Sequence, residues 1–480
     1  MLSPHAPPVR KTTSFAENLY IFGEINHFAG VHQGSVQSEW DPSDWESMQQ
    51  HLTLMDLMAL LCVAEEKHSY AAVSFKLLKT NTYGIDIIFS LNSPASKVTT
   101  DFIEAVQCYL DQLLQDRINH TVARLEISRL VFHHCREKMV ARYKKLITAI
   151  SAISVEELIN HFPNKGQVAT ALSSSPELVR DDIVQWLETV RSKSLKLDED
   201  SHFSIMYACY IIGYTSGILN DDFSVKCEAA SKRIRKLGDY YRAIYRVVDE
   251  LISVRRGAGF TLSIREVVSR EPQSVVLNGS DVLSILNRWA EDHRYDDLTV
   301  ETLEKAYPLV KRDTLVRPFL TSTELSDPGK AAKARNIKLT ECAHAECSIV
   351  MERVKEVIEG RAKIKKSSVV IEVGVSKSVC WTCSRFFTEV NRVFGIRIAY
   401  SRRHGKVYAG WAPPECPFVS KYSLVLDAMQ KAVEDEVEEI VRKANNKAKQ
   451  GSSPLGFPSE NIGMFGEAEK RVFTFMYVQS

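Results

Sequence analysis

Apolar residues recur at three- and four-residue steps through most of residues 46–320, and that spacing predicts a mainly α-helical region. The helical pattern opens over Trp45–Ala64. Thr99–Arg117 then places Phe102, Ile103, Val106, Leu110, Leu113 and Leu114 on one face. Val122–Ala152 continues in the same style, followed by Val155–His161, Ser175–Ser192, Phe203–Leu219 and Ala229–Val254. Ser280–His293 and Val300–Ala306 predict shorter helices. Two runs rich in β-formers, Tyr70–Leu78 and Tyr83–Leu91, flank Asn81-Thr82 and predict a hairpin. Ahead of all this, residues 1–45 carry Pro4, Pro7, Pro8, Gly23, Gly30, Gly34 and Pro42. They read as an irregular arm with a short apolar anchor at Leu19–Phe22.

The pattern changes after Asp327-Pro328-Gly329. Ile337–Cys342 predicts a strand, Ala345–Ile358 a helix, and the β-branched run Ser368–Val375 a strand covered on both faces. Cys380–Phe394 is helical, with Phe386, Phe387, Val390 and Val393 on its apolar side. Ile396–Tyr400 and Lys406–Trp411 predict short strands. Residues 325–415 therefore read as an α/β domain, a mixed sheet flanked by helices, preceded by the large helical region. The sheet's first strand is not evident; Thr314–Leu320 is the nearest candidate. Residues 416–480 form a C-terminal helix, about Tyr422–Lys447, and a tail entered through the Gly/Ser/Pro stretch Gly451–Pro458.

A length of 480 residues suits two or three domains. No run reaches the ~18–20 apolar residues of a spanning helix, and Ile205–Leu219 reads as a buried core helix. The N-terminal residues contain no apolar secretory core, so an intracellular protein, cytoplasmic or nuclear and not membrane-bound, is expected. Of ten cysteines, five are widely spaced among apolar neighbours and read as buried thiols. Cys342, Cys347, Cys380, Cys383 and Cys416 crowd together, as a metal site would require. Net charge is +1, yet residues 328–412 hold 17 Lys+Arg against 7 Asp+Glu, which leaves −9 for the remainder. A local excess of that size suits an anionic partner, or a basic face offset by the acidic remainder.

Two segments carry the chemistry. His344-Ala345-Glu346-Cys347 and Cys380-Trp381-Thr382-Cys383 each lie where a strand gives way to a helix. Cys380 and Cys383, three apart, share one helix face. At a helix N-terminus the dipole favours thiolate, the zinc-binding form. His344 with these two cysteines leaves a tetrahedral zinc one open position for water. Zinc then brings that water toward hydroxide near neutral pH, and Glu346 is placed to carry its proton to a departing amine. The other readings open to these residues are a closed structural site of Cys342, Cys347, Cys380 and Cys383, and a set of buried thiols that binds no metal.

H-x-E followed by C-x-x-C resembles the cytidine-deaminase superfamily. The run VGVSKSVCWTCSRFF with the later SRRHGKVYAGWAPP is similar to the fungal nucleic acid/nucleotide deaminases. Val379 stands where the superfamily has proline. The resemblance covers about 85 residues and implies that His344, Cys380 and Cys383 bind zinc and that Glu346 is the general acid/base. It also implies hydrolytic attack of zinc-bound hydroxide on the amine-bearing carbon of a base in a nucleotide or nucleic acid. Trp381, Arg402, Arg403 and His404 are the candidate substrate contacts. A different class of reading is a non-catalytic interaction protein that keeps the zinc domain as scaffold and meets a protein partner through its helical region.

Overall fold

The computed structural model describes residues 14–29, 42–64, 70–79, 83–153, 180–191, 196–199, 201–215, 225–254, 260–277, 281–310, 312–315, 337–360 and 369–451. In chain order its elements are α1 (Phe15–Ala29), α2 (Pro42–Leu61), β1 (Ala71–Lys79), β2 (Tyr83–Leu91), α3 (Lys97–Leu114), α4 (His120–Ser151), α5 (Arg180–Arg191) and α6 (His202–Tyr210), the last running into a π turn at Ile211–Thr215. Then follow α7 (Val225–Val254), β3 (Thr261–Glu266), β4 (Gln273–Leu277), α8 (Val282–Asp292), α9 (Val300–Ala306) and α10 (Arg312–Leu315). The C-terminal third supplies β5 (Ile337–Ala343), α11 (Ala345–Glu359), β6 (Val370–Val375), α12 (Trp381–Phe394), β7 (Arg397–Tyr400), β8 (Trp411–Ala412) and α13 (Val419–Gly451). The architecture is mixed α/β, with a helix-rich N-terminal region and a mixed sheet beside the C-terminal motifs.

The five-stranded sheet has the order β3-β2-β1-β6-β7. The β1/β2 hairpin is antiparallel, with Val73 opposite Phe89, and β1 also runs antiparallel to β6, with Ala72 opposite Val375. β2–β3 and β6–β7 are parallel. The strand missing from the C-terminal sequence pattern is therefore supplied by the hairpin, whose members lie far upstream. Thr314 and Leu315 belong instead to the short α10, and 316–320 lie outside the described residues. β3 and β4 went unread because each is short and its burial does not alternate cleanly. A second sheet, β4-β5-β8, holds β5 against the sequence around Trp411.

Two further expectations change. Residues 15–29 form a helix rather than part of an irregular arm: Leu19, Ile21, Phe22 and Ile25 are buried and α1 packs against α13 and α8. Lys406–Trp411 is not a strand. Its backbone is used elsewhere, the Lys406 carbonyl accepting from Trp381 N–H and the Tyr408 carbonyl accepting from Trp411 N–H. Only Trp411 and Ala412 remain to pair with β5. Val155–His161 lies outside the described residues. No helix among those described is long and apolar enough to cross a membrane.

Two contacts seat the site-bearing elements. α2 crosses β6 so closely at Gly374 that any Cβ there would run into the Met55 backbone. From α2, the buried Asp56 carboxylate accepts Val375 N–H at 2.7 Å and the Ser401 hydroxyl at 2.5 Å. On the other side, α11 is fixed to the hairpin by Arg353, only 4% exposed. Its guanidinium donates to the carbonyls of Ser74 and Asp86 at 3.0 Å each and to the Asp86 carboxylate at 2.8 Å. Arg265 and Lys76 join through Glu356, so three cations face Asp86, Glu352 and Glu356.

Replacing Arg353 with Met should destabilise the fold by about 2–4 kcal/mol, because it strips the Ser74 and Asp86 carbonyls of their donor and leaves the Asp86 carboxylate only Arg265, at 3.6 Å. Chemical denaturation checks this; a loss under about 1 kcal/mol would mean that the network does not hold α11. Asp56 supplies a pH signature. Burial raises its pKa from 3.8 to about 6, against the lowering by Ser401, Val375 and Arg402. The folded state then binds the proton more tightly than the unfolded one, so this stabilisation is complete below about pH 4 and is lost as pH rises through 6. The shift is worth about 3 kcal/mol. Asp56→Asn should remove that slope between pH 4 and 6 relative to the native chain, read from denaturation midpoints at stepped pH.

Candidate metal centre and active site

His344 is the residue at which β5 ends and α11 begins. Its backbone is extended and its side chain does not cap the helix, which leaves the ring free to face inward. Instead, Asn92 at the end of β2 caps from outside, its Oδ1 accepting Ala345 N–H at 2.9 Å. Cys380 occupies the equivalent place on α12. It is the N-cap, its Sγ accepting Cys383 N–H at 3.4 Å. Gly395, with φ of 68°, closes the same helix in the left-handed conformation that glycine tolerates.

These two helix starts meet. His344 Nδ1 lies 3.2 Å from Cys383 Sγ and 3.7 Å from Cys380 Sγ, and the two sulfurs are 3.3 Å apart. Glu346 Oε1 stands 3.8 Å from the same imidazole nitrogen. One donor atom from each of His344, Glu346, Cys380 and Cys383 lies within 4.8 Å of the others, and all four side chains are buried. Cys342 and Cys347 fall outside that group. Cys347 is wholly buried on α11, whereas Cys342 is half-buried on β5. Among the described residues, the group that could hold a metal is therefore the histidine-containing one.

The charges in this cluster are those of a site ready for a cation. Burial pushes the Cys380 thiol up, but the Cys383 hydrogen bond and the neighbouring His344 outweigh it and bring it down to about 5. Cys383 moves up, through burial and then its hydrogen bonds with Cys347 and Cys380. Burial lowers His344, yet the Cys380 charge overrides that and holds it well above its usual value. Glu346 is kept below the usual carboxylate range despite its burial, by the His344 hydrogen bond and charge. Thiolate, imidazole and carboxylate thus hold one another in place. One nitrogen and two sulfurs are donors that could hold a metal ion, and a bound metal would compete with a proton for the His344 ring.

The walls are aromatic. Tyr70 lies parallel to the His344 ring at 6.5 Å, and Tyr408 meets His344 edge-on at 5.6 Å. Lys377 Nζ sits 3.8 Å above the Tyr70 ring. Sequence reasoning missed Tyr70, Asn92, Lys377 and Tyr408. Tyr70 and Asn92 flank the open end of the hairpin, joined by Asn92 N–H to the Tyr70 carbonyl. Only knowledge that β1 pairs with β6 would have brought them here. The expected substrate contacts separate. His404 stands edge-on to Tyr408 at 5.9 Å, and its pKa is lowered by burial. Arg403 is half-buried, its backbone bridged to Val379. Arg402 is largely exposed and approaches Asp56 at 3.6 Å. Trp381 packs edge-on against Phe22 of α1 at 4.8 Å.

Buried histidine, glutamate and paired cysteines thus meet at two helix starts beside a mixed sheet. Residues 343–415 match the family model described as OTT_1508-like deaminase, so this segment is a domain of a cytidine-deaminase-like family. The match spans 73 of the 480 residues. No curated protein and no solved structure matches the chain.

Asn92→Ala should leave the buried Ala345 N–H without a partner and cost roughly 1–3 kcal/mol of stability. Chemical denaturation of the purified variant measures this, and an unchanged midpoint would show that Asn92 does not hold the start of α11.

Proposed function

We propose that the chain is a zinc-dependent hydrolytic deaminase that exchanges the ring amine of a nucleobase, carried in a nucleotide or nucleic acid, for a carbonyl. The observation that carries this reading is the placement of Glu346: a buried carboxylate 3.8 Å from His344 Nδ1, beside a Cys380–Cys383 pair that needs no fourth protein ligand. His344, Cys380 and Cys383 would hold the zinc. When bound there, zinc lowers the pKa of water toward about 7.

Glu346 does the proton work. It takes a proton from the attacking water and passes it to the amine as the new C–O bond forms and the C–N bond breaks, so that ammonia leaves. Burial of the cluster strengthens the fields that this transfer needs. Tyr70 and Tyr408 present aromatic surfaces on which a base can rest. Lys377, above Tyr70, offers a cation to the phosphate of a phosphorylated substrate. The excess of basic residues over 328–412 supports the same preference.

The purified protein should carry about one zinc per chain, with Cys380→Ser abolishing it. On a panel of cytosine and adenine substrates, Glu346→Gln should lose roughly 100- to 10000-fold in rate while keeping its metal. Metal analysis and ammonia release read these two outcomes separately. Native zinc with no turnover on any substrate would leave the scaffold reading standing, and full turnover in Glu346→Gln would overturn the assigned role.

A further inference from the structure

A second feature lies on the helical region, outside the segment that matches the deaminase family. α4 and α7 pack side by side and leave a broad surface groove of about 1020 Å³ between them. This is at or above the upper end of small-ligand sites, about 300–1000 Å³. Its lining carries Arg136, Lys144, Lys145 and Arg233, with Glu137 the single carboxylate, over a floor that includes Val140 and Ala141. The sequence beneath it is strongly one-signed: residues 136–145 and 232–236 together hold nine Lys or Arg and one acid. Arg136, Lys144 and Lys232 are exposed, and none of them forms an ion pair among the described residues.

The cations continue toward the metal centre. Lys236 feels the charges of Arg142, Arg233, Lys232 and Lys145. Arg142, anchored to the Lys236 carbonyl at 2.8 Å, stands next to the buried Lys138. Lys138 in turn feels Lys377, which lies on Tyr70, and Tyr70 stacks on the His344 ring. Burial first, and then repulsion from their neighbours, lowers Lys236 to about 8 and Lys138 to about 7. Folding has gathered like charges with few local acids, at an electrostatic cost that an anionic ligand would relieve.

We propose that the α4/α7 groove binds the phosphate backbone of a single-stranded nucleic acid that serves the His344/Glu346 centre. The choice of a single strand rests on the deaminase reading, since a base must be out of a duplex to reach a buried centre. The backbone contact itself rests on the groove. A row of cations suits the repeated charge of a polynucleotide better than one phosphate does.

The test uses fluorescein-labelled oligothymidylate of about thirty nucleotides, a length spanning two or more typical single-strand sites. Thymine carries no ring amine, so binding is read independently of any deamination. Anisotropy titrations of the full chain should show salt-dependent binding. Lys144→Gln/Arg233→Gln should weaken it about tenfold and flatten the slope of log affinity against log salt by roughly 1.4, at about 0.7 per lost cation. A second pair, Arg136→Gln/Lys232→Gln, should act in the same direction, and thermal melts of both variants should match the native chain. Absence of binding by the native chain would overturn the proposal, as would unchanged binding in both folded variants. So would displacement by thymidine monophosphate at equal phosphate concentration, or tighter binding of polyglutamate. Neither zinc content nor Glu346 enters these measurements, so the groove can fail while the deaminase reading stands, and the reverse.

Discussion

The whole arrangement depends on one buried charge. Arg353 ties the helix that begins at His344 to a hairpin more than 260 residues upstream, through two backbone carbonyls and the Asp86 carboxylate. A guanidinium at 4% exposure is tolerable only when all of its donors are met. Satisfying it fixes α11 along its length against β1 and β2, which in turn sets where the helix starts. Asn92 completes the seat at the other end by taking the Ala345 N–H. The position of His344 is thus decided by residues 74, 86 and 92 as much as by its own segment.

A second constraint acts on α12. Its N-terminal cysteine reaches His344 only because β6, α2 and the 401–406 turn hold the loop between them. Gly374 lets α2 lie directly on β6, and Asp56 then bridges β6 to Ser401. The turn answers by bonding back to the loop, His404 N–H to the Val379 carbonyl and Trp381 N–H to the Lys406 carbonyl. Val379, where proline is usual in the superfamily, donates its own N–H to the Arg402 carbonyl at 2.9 Å. A proline could not make that bond. Here a backbone hydrogen bond fixes the loop that proline stiffens elsewhere.

The metal-type cluster was legible in the sequence because its parts are local. H-x-E and C-x-x-C each sit within one turn of a helix start, and strand-then-helix patterning flags both places. The walls were not legible. Tyr70 and Asn92 are ordinary strand-end residues until β1 is known to pair with β6, and no periodicity reports which distant strands are neighbours. The hairpin itself could be read from its β-formers, but its partner could not. α1 was obscured by the glycines around it, although its buried Leu19, Phe22 and Ile25 follow a helical spacing. The stretch Lys406–Trp411 has strand composition, but its Lys406 carbonyl is taken by Trp381 N–H and its Trp411 N–H turns back to the Tyr408 carbonyl.

The helical region is continuous with the sheet rather than appended to it. The main core runs without a break from Leu19 through Phe102, Val131 and Met139 to Val373 and Val441. A smaller core gathers Tyr143, Leu146 and Ile150 with residues of α5, α6 and α7. α4 serves both. Its first turns pack into the core that carries the metal-type centre, and its last turns organise the satellite. The cationic residues 136–145 fall where one core gives way to the other, so their spacing from His344 is set by a rigid helix rather than by a loop. Any ligand held along α4 is thereby held in register with the centre. The 73-residue matched segment could not supply that register alone, since it lacks both α4 and the hairpin that positions α11.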